Sequence, residues 1–234
     1  MRTLGLIGGM SWESSAQYYR LINEGVRSRL GPLYNAPNVM VTVNFAEIEA
    51  LQHKGAWDEA GGHMARAAVQ LERAGAEAIL LCTNTMHKLA GHIEAATNVP
   101  FIHIADPTAA AIKAAGLHRV ALLGTAFTME QDFYRGRLTG HHGFDVIVPE
   151  AADRLLVHNV IYNELCAGVV KTESRQIYRD VMARLVAAGA QAIILGCTEI
   201  MLLVDASDVS IPVFDTTALH AQAGVEFVLG RYNP

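Results

Sequence analysis

The sequence predicts an α/β protein of two similar lobes, each a mainly parallel sheet flanked by helices, the two related by pseudo-two-fold symmetry. Three observations carry this reading. Short apolar runs alternate with helical periodicities along the chain, as parallel sheets covered on both faces require. The stretch AGAEAILLCTNTM, Ala74 to Met86, returns as AGAQAIILGCTEI, Ala188 to Ile200. Further landmarks repeat in the same order: Gly9 answers Gly124, Thr83 answers Cys197, and Asp106 within PFIHIADPTAA answers Asp215 within PVFDTTALHA, at offsets of 115, 114 and 109. A duplicated unit follows, with residues 1–104 and 212–234 forming the first lobe and residues 105–211 the second.

Each element has a local reason. Leu4 to Ile7 is an apolar run closed by Gly8-Gly9, and Ser11 then opens a helix with Glu13 in its first turn and a stop near Gly31-Pro32. Asn38 to Phe45 is rich in β-branched residues and reads as a strand. Helices follow over Ile48 to Lys54 and Trp57 to Arg73, the latter ended by Gly75. Ala78 to Leu81 is the next strand, after which Thr83 or Asn84 can cap a helix through His87 to Ala96. Pro100 to Ile104 reads as a strand, with Asp106 capping a helix that has Pro107 at its first position.

The second half repeats this grammar. Val120 to Leu123 is a strand before Gly124, and Thr128 and Gln131 have capping-box spacing. Val146 to Val148 is a further strand, followed by helices over Asp153 to Cys166 and Ser174 to Ala188. Strands at Ile193 to Leu195 and Ile211 to Phe214 and a helix from Thr217 to Leu229 complete the pattern.

Composition narrows the function classes. The chain has 234 residues, 51% hydrophobic and 18% charged, with a formal net charge of −5 and no basic stretch. Nucleic acid and anionic membrane are therefore not expected as partners. No apolar run reaches the roughly 18 residues that span a bilayer, and the N-terminus lacks a signal-peptide layout. The three cysteines, Cys82, Cys166 and Cys197, are too few and scattered for a disulfide framework, so a cytoplasmic setting is expected.

In open parallel sheets ligands bind outside the carboxyl ends of strands. Here those ends hold Gly8 to Ser11, Cys82 to Thr85, Asp106, Gly124-Thr125, Cys197 to Glu199 and Asp215, and facing lobes would bring them onto one cleft for a small molecule. Cys197 is the strongest chemical candidate, because a following helix or turn can lend backbone N–H groups that lower a thiol pKa from about 8.5; an isolated cysteine is otherwise more often buried and inert, and the repeat favours the catalytic reading. Thr83 is its repeat partner; alone, a threonine there would be a turn former. Cys82, one residue earlier, should point the other way and be structural.

Asn84, Thr85, Thr198 and Glu199 are short polar groups beside backbone donors, suited to a carboxylate and an ammonium group, although each could equally be a local cap. Gln52 lies on the helix after the second strand, where it can close over the cleft or simply face solvent. The GGMSWESS loop lacks the G-x-G-x-x-G spacing, so a nucleotide cofactor is not expected. Neither H-E-x-x-H nor C-x-x-C occurs among the ten histidines and three cysteines, and no metal is expected.

With GLIGGMSWES near the start, LLCTNTMHK in the first half and LGCTEI in the second, the chain resembles the cofactor-independent aspartate/glutamate racemase family, and within it the bacterial branch specific for L-aspartate and L-glutamate. The resemblance runs through RLINEG, HIAD, ALLGT, MEQDFYRGRLT and PVFDT as well. It implies an amino-acid substrate, no cofactor, and a homodimer. Family members usually carry two cysteines on opposite faces of the substrate α-carbon, and the resemblance places those roles at Thr83 and Cys197. It also assigns substrate contact to Met10 and Gln52.

The chain departs from the two-cysteine pattern at Thr83. A hydroxyl donates a proton more readily than it removes one at neutral pH. The resemblance makes the second-half cysteine the base for the L-isomer, so a preference for L-substrates is expected, with conversion from the D-side slow. Two other readings stay open: a related decarboxylase, or a hydantoin or maleate isomerase, using the single cysteine, and a two-lobed amino-acid-binding protein without chemistry.

Overall fold

The computed structural model describes residues 1–232 and divides the chain into two compact units, Met1–Ile104 with the residues from His220 onward, and Ala105–Leu219. In the first unit the elements are β1 (Leu4–Gly8), α1 (Trp12–Leu30), β2 (Asn38–Thr42), α2 (Phe45–Lys54), α3 (Trp57–Arg73), β3 (Ala78–Leu81), a 3-10 turn (Thr85–Leu89), α4 (Ala90–Ala96) and β4 (Phe101–Ile102). The sheet is four-stranded in the order β2-β1-β3-β4, and all its pairings are parallel.

Two-residue periodicity divides its side chains between two layers. Leu4, Leu6, Ala78, Leu80 and Cys82 pack with Tyr18, Ile22 and Val26 of α1. Ile7, Ile79 and Leu81 point to the opposite layer, against Met64, Ala68 and Leu71 of α3. Gly5 is required where α3 crosses β1, because an added Cβ would fall 2.9 Å from the Ala76 side chain.

The second unit contains α5 (Ala105–Ala114), β5 (Arg119–Gly124), α6 (Ala126–Glu130), α7 (Asp132–Gly136), a π-helical turn (Arg137–His141), β6 (Asp145–Ile147) and α8 (Ala151–Asn163). After α9 (Thr172–Ala187) come β7 (Ala192–Gly196), the 3-10 turns Ile200–Leu202 and Ala206–Asp208, and β8 (Val213–Asp215). Its parallel sheet runs β6-β5-β7-β8, the same order as the first sheet once the strands are renumbered within the unit. The repeat seen in sequence is thus a repeat of topology.

Several boundaries differ from expectation. Residues 212–219 belong to the second unit and not the first, because β8 pairs with β7 through Ile193↔Val213 to Leu195↔Asp215. The final helix, α10 (Thr216–Val228), starts there, while Ala221, Val225 and Phe227 complete the core of the first unit. Phe45 leaves the expected second strand and begins α2, since the Asn44 side chain accepts a hydrogen bond from the Ala46 N–H and caps that helix.

Asp106 lies inside the first turn of α5 and its carboxylate takes Arg137 in a bidentate pair, with both N···O distances 2.7 Å. Thr125, not Thr128, caps α6 by accepting from the Thr128 N–H. Among the described residues no helix is long and apolar enough to cross a membrane.

Candidate active site

The glycine loop after β1 is held by serines. Ser15 Oγ accepts from the Gly9 N–H at 2.8 Å and donates to the Ser11 carbonyl at 2.9 Å, and Ser11 is the N-cap of α1. Gly9 has φ of +97°, a conformation open to glycine, and a Cβ there would collide with the Val43 carbonyl oxygen. Met10 is buried in the layer that also holds Ile48 and Met86. Gln52 is buried too, so it is not on a solvated face, and its Nε2 donates to Met86 Sδ at 2.9 Å.

The chain leaves the sheet abruptly after β3. The Cys82 N–H still reaches Ile7 O, but the Thr83 N–H turns back to Leu81 O at 2.9 Å. Cys82 is fully buried in the α1-side layer, and burial drives its thiol pKa far above the ordinary value. Thr83, Asn84 and Thr85 follow at low exposure, 7%, 2% and 6% respectively, so this polar triplet is enclosed, not a surface turn. The Asn84 side chain makes no cap bond to the 3-10 turn that follows, against the expected capping role.

In the second unit the end of β7 carries the counterpart. Gly124 and Gly196 are paired across β5 and β7, and a Cβ on Gly124 would stand 2.8 Å from Gly196 O, so the two strands end close together. Cys197 Sγ donates to Glu199 Oε2 at 3.0 Å, and Thr198 Oγ1 donates to the same oxygen at 2.8 Å. All three residues are buried. Asp215 accepts from the Thr217 and Ala218 N–H groups and caps α10, while burial raises its carboxyl pKa.

The expected lowering of the Cys197 pKa is reversed. Burial is the largest cause, the Glu199 carboxylate and Cys166 push the same way, and the Glu199 backbone N–H opposes them too weakly to prevail. The short 3-10 turn after the strand provides little of the field that a long helix would. The resting group is therefore a thiol whose nearest proton acceptor is Glu199 Oε2. That direct contact was not read from the sequence, although the C-T-E spacing is its signal.

Met10 and Met86 share one buried layer of the first unit, Gln52 donates to Met86 and the buried Thr83–Thr85 triplet directly precedes Met86 in the chain, while Cys197, Thr198 and Glu199 form one hydrogen-bonded cluster in the second unit. No group of three or more His, Cys, Asp or Glu among the described residues is arranged to hold a metal ion.

Fold and cluster together define a class: a duplicated parallel α/β protein with a buried thiol–carboxylate pair at a strand's carboxyl end, the position at which such sheets bind ligands. A family model described as Asp/Glu/Hydantoin racemase matches residues 7–224, and the chain belongs to that family. It is 55% identical to a Yersinia pestis protein described as a candidate Asp/Glu racemase, with a TM-score of 0.92 over 98% of this chain and 100% of that one. It is 33% identical to an aspartate racemase homologue from Pyrococcus horikoshii OT3, with a TM-score of 0.85 over 98% and 100% of the two chains. The broad-specificity amino-acid racemase of Bacillus subtilis (strain 168) is 28% identical over 165 residues, 69% of each chain. Membership of this family supports an isomerase of the racemase type acting on a small molecule.

Proposed function

We propose that the protein is a PLP-independent racemase of L-aspartate or L-glutamate, in which Cys197 removes the α-proton and the Thr83 side returns one. The observation that carries this reading is the Cys197 Sγ to Glu199 Oε2 hydrogen bond of 3.0 Å inside a buried cluster. A thiol held above its ordinary pKa is a poor base until its proton leaves, and a carboxylate oxygen at hydrogen-bond distance is the group that can take it. The net charge of the pair is unchanged by this transfer.

The thiolate then takes the α-proton, and the C–H electron pair moves toward the substrate carboxylate as an enediolate. The Thr83 hydroxyl gives its proton to the other face of the α-carbon; Cys197 keeps the α-proton as its thiol, Glu199 releases to solvent the proton it took, and Thr83 regains one from solvent. No cofactor delocalises the charge in this scheme, so fixed donors must. Backbone N–H groups of the two strand-end loops, with Asn84, Thr85 and Thr198, supply them; each well-placed donor is worth about 3 kcal/mol in such states. Gln52 and Met10 complete the substrate contacts, and Glu199, ionised until it takes the thiol proton, attracts the ammonium group as substrate enters.

The test is L-glutamate and L-aspartate in heavy water, followed by NMR for α-deuterium and by chiral chromatography for the D-isomer. Wild type should give both. Cys197→Ala should give neither, whereas Thr83→Ala should keep the wash-in and lose the D-isomer. A folded wild type that gives neither product with either amino acid defeats the racemase reading, and carbon dioxide release from a malonate-type acid would replace it by decarboxylation.

A further inference from the structure

Thr83 lies beyond the last sheet hydrogen bonds, so something other than β-pairing must hold it. The pairing of β3 with β4 covers only Ile79↔Phe101 and Leu80↔Ile102. We propose that His87 is the positioning residue for Thr83, clamping the strand-end loop through two hydrogen bonds whose polarity fixes its tautomer. The inference rests on the racemase reading for the part Thr83 plays.

His87 is 2% exposed and sits in the 3-10 turn four residues after Thr83. The Ile104 N–H lies 3.1 Å from His87 Nε2, and a backbone N–H can only donate. Nε2 therefore carries the lone pair, and the neutral ring's proton is on Nδ1. That Nδ1–H points at the Thr83 carbonyl oxygen, 2.7 Å away. The imidazole thus joins the loop after β3 to the chain after β4, where the sheet itself no longer does. Phe101, His103 and His220 pack around the ring at centroid distances of 5.4, 4.6 and 5.7 Å and restrict its rotation.

His220 is itself engaged, its Nε2 at 2.7 Å from the Ile102 carbonyl and its Nδ1 at 2.8 Å from the Tyr18 hydroxyl. The carbonyl can only accept, so His220 carries a proton on Nε2, and its ring braces the strand end beside His87.

The second half has no equivalent of this clamp. The repeat places Met201 where His87 stands, and a methionine cannot bridge two backbone groups. In that unit the Leu195 carbonyl is held by Thr216 Oγ1 at 2.8 Å instead. The clamp is found on the side that carries the weaker acid. A hydroxyl transfers a proton usefully only when its distance and angle to the α-carbon are closely held, whereas a thiol–carboxylate pair is more forgiving.

Two amide substitutions separate the bonds. Asn places an N–H near the Nδ1 position and lacks the reach to Ile104; Gln places a carbonyl oxygen near Nε2 and loses the donor to Thr83. His87→Gln should lose D-glutamate formation about tenfold or more beyond any loss of deuterium wash-in into L-glutamate. His87→Asn should retain D-glutamate formation within a few-fold. D-isomer formation at the wild-type rate by His87→Gln, or an equal loss of wash-in and inversion in that variant, would overturn the proposal. Side-chain 15N NMR of the wild type gives a readout independent of turnover: His87 should be the Nδ1–H tautomer, and an Nε2–H tautomer overturns the clamp even where no activity is found. Absence of wash-in by the wild type itself is the separate outcome that removes the racemase reading.

Discussion

Cys82 and Cys197 are both buried thiols, and their neighbours give them different chemistry. Cys82 sits among Leu80, Ala78 and Tyr18, and burial alone raises its pKa from the ordinary 9.0. Its alternation with Thr83 was readable from strand parity, but the hydrogen bond from Cys197 to Glu199 was not, because it depends on how the chain turns after Gly196. A thiol with a raised folded-state pKa keeps its proton in the folded protein after the unfolded chain has lost it. Stability is thus fully present below the unfolded value of about 9 and falls as pH rises beyond it, by about 1.4 kcal/mol per pH unit for one such group. Urea unfolding at pH 8 and pH 10 should therefore show a larger drop for wild type than for Cys82→Ala, by about 1 kcal/mol. Equal drops would mean that Cys82 is solvated in the folded state. Deuterium wash-in by Cys82→Ala at pH 7 should match wild type.

At the scale of elements, alternation and capping chemistry located every strand and every long helix, with errors where a tertiary contact overrode a local signal. Asp106 has the look of a cap before Pro107, yet Arg137 captures it from a turn thirty-one residues later. Thr128 has capping-box spacing, yet Thr125 is closer to the strand end and takes the role. Pro100 to Ile104 forms only a two-residue strand because β3 offers it only two partners before turning away. The glycine loop after β1 is the element in which local sequence and tertiary demand agree. Gly9→Ala forces a side chain into left-handed backbone and against the Val43 carbonyl, so a loss of about 2 kcal/mol or more is expected. Thermal unfolding should show it as a clear fall in Tm, with Ser15 and Met10 displaced from their places; an unchanged Tm would mean that the loop rearranges at no cost.

For the whole molecule, the duplication was legible because its landmarks recur at nearly one spacing, and the identical strand order of the two sheets confirms it as a structural repeat. The end of the second unit was not legible at 211, because a strand's sheet partner is not encoded in its own apolar pattern: β8 reads the same whichever sheet it joins. Chemical asymmetry within the repeat has a consequence that thermodynamics constrains. Free D- and L-amino acids have equal energies in an achiral solvent, so kcat/KM for L to D must equal kcat/KM for D to L, whatever the two proton carriers are. A weak acid at Thr83 cannot make inversion one-way; it slows inversion in both directions alike. Handedness should appear instead in solvent exchange. Cys197 can remove and return a proton on the L-face without involving Thr83, whereas a D-substrate must first lose its proton to the threonine side. Wash-in of deuterium should therefore be about a hundredfold or more faster for L-glutamate than for D-glutamate, while the two inversion kcat/KM values agree. Equal wash-in from both isomers would show that the Thr83 side is as competent a base as Cys197, and the assignment of a thiol base facing a hydroxyl acid would fall.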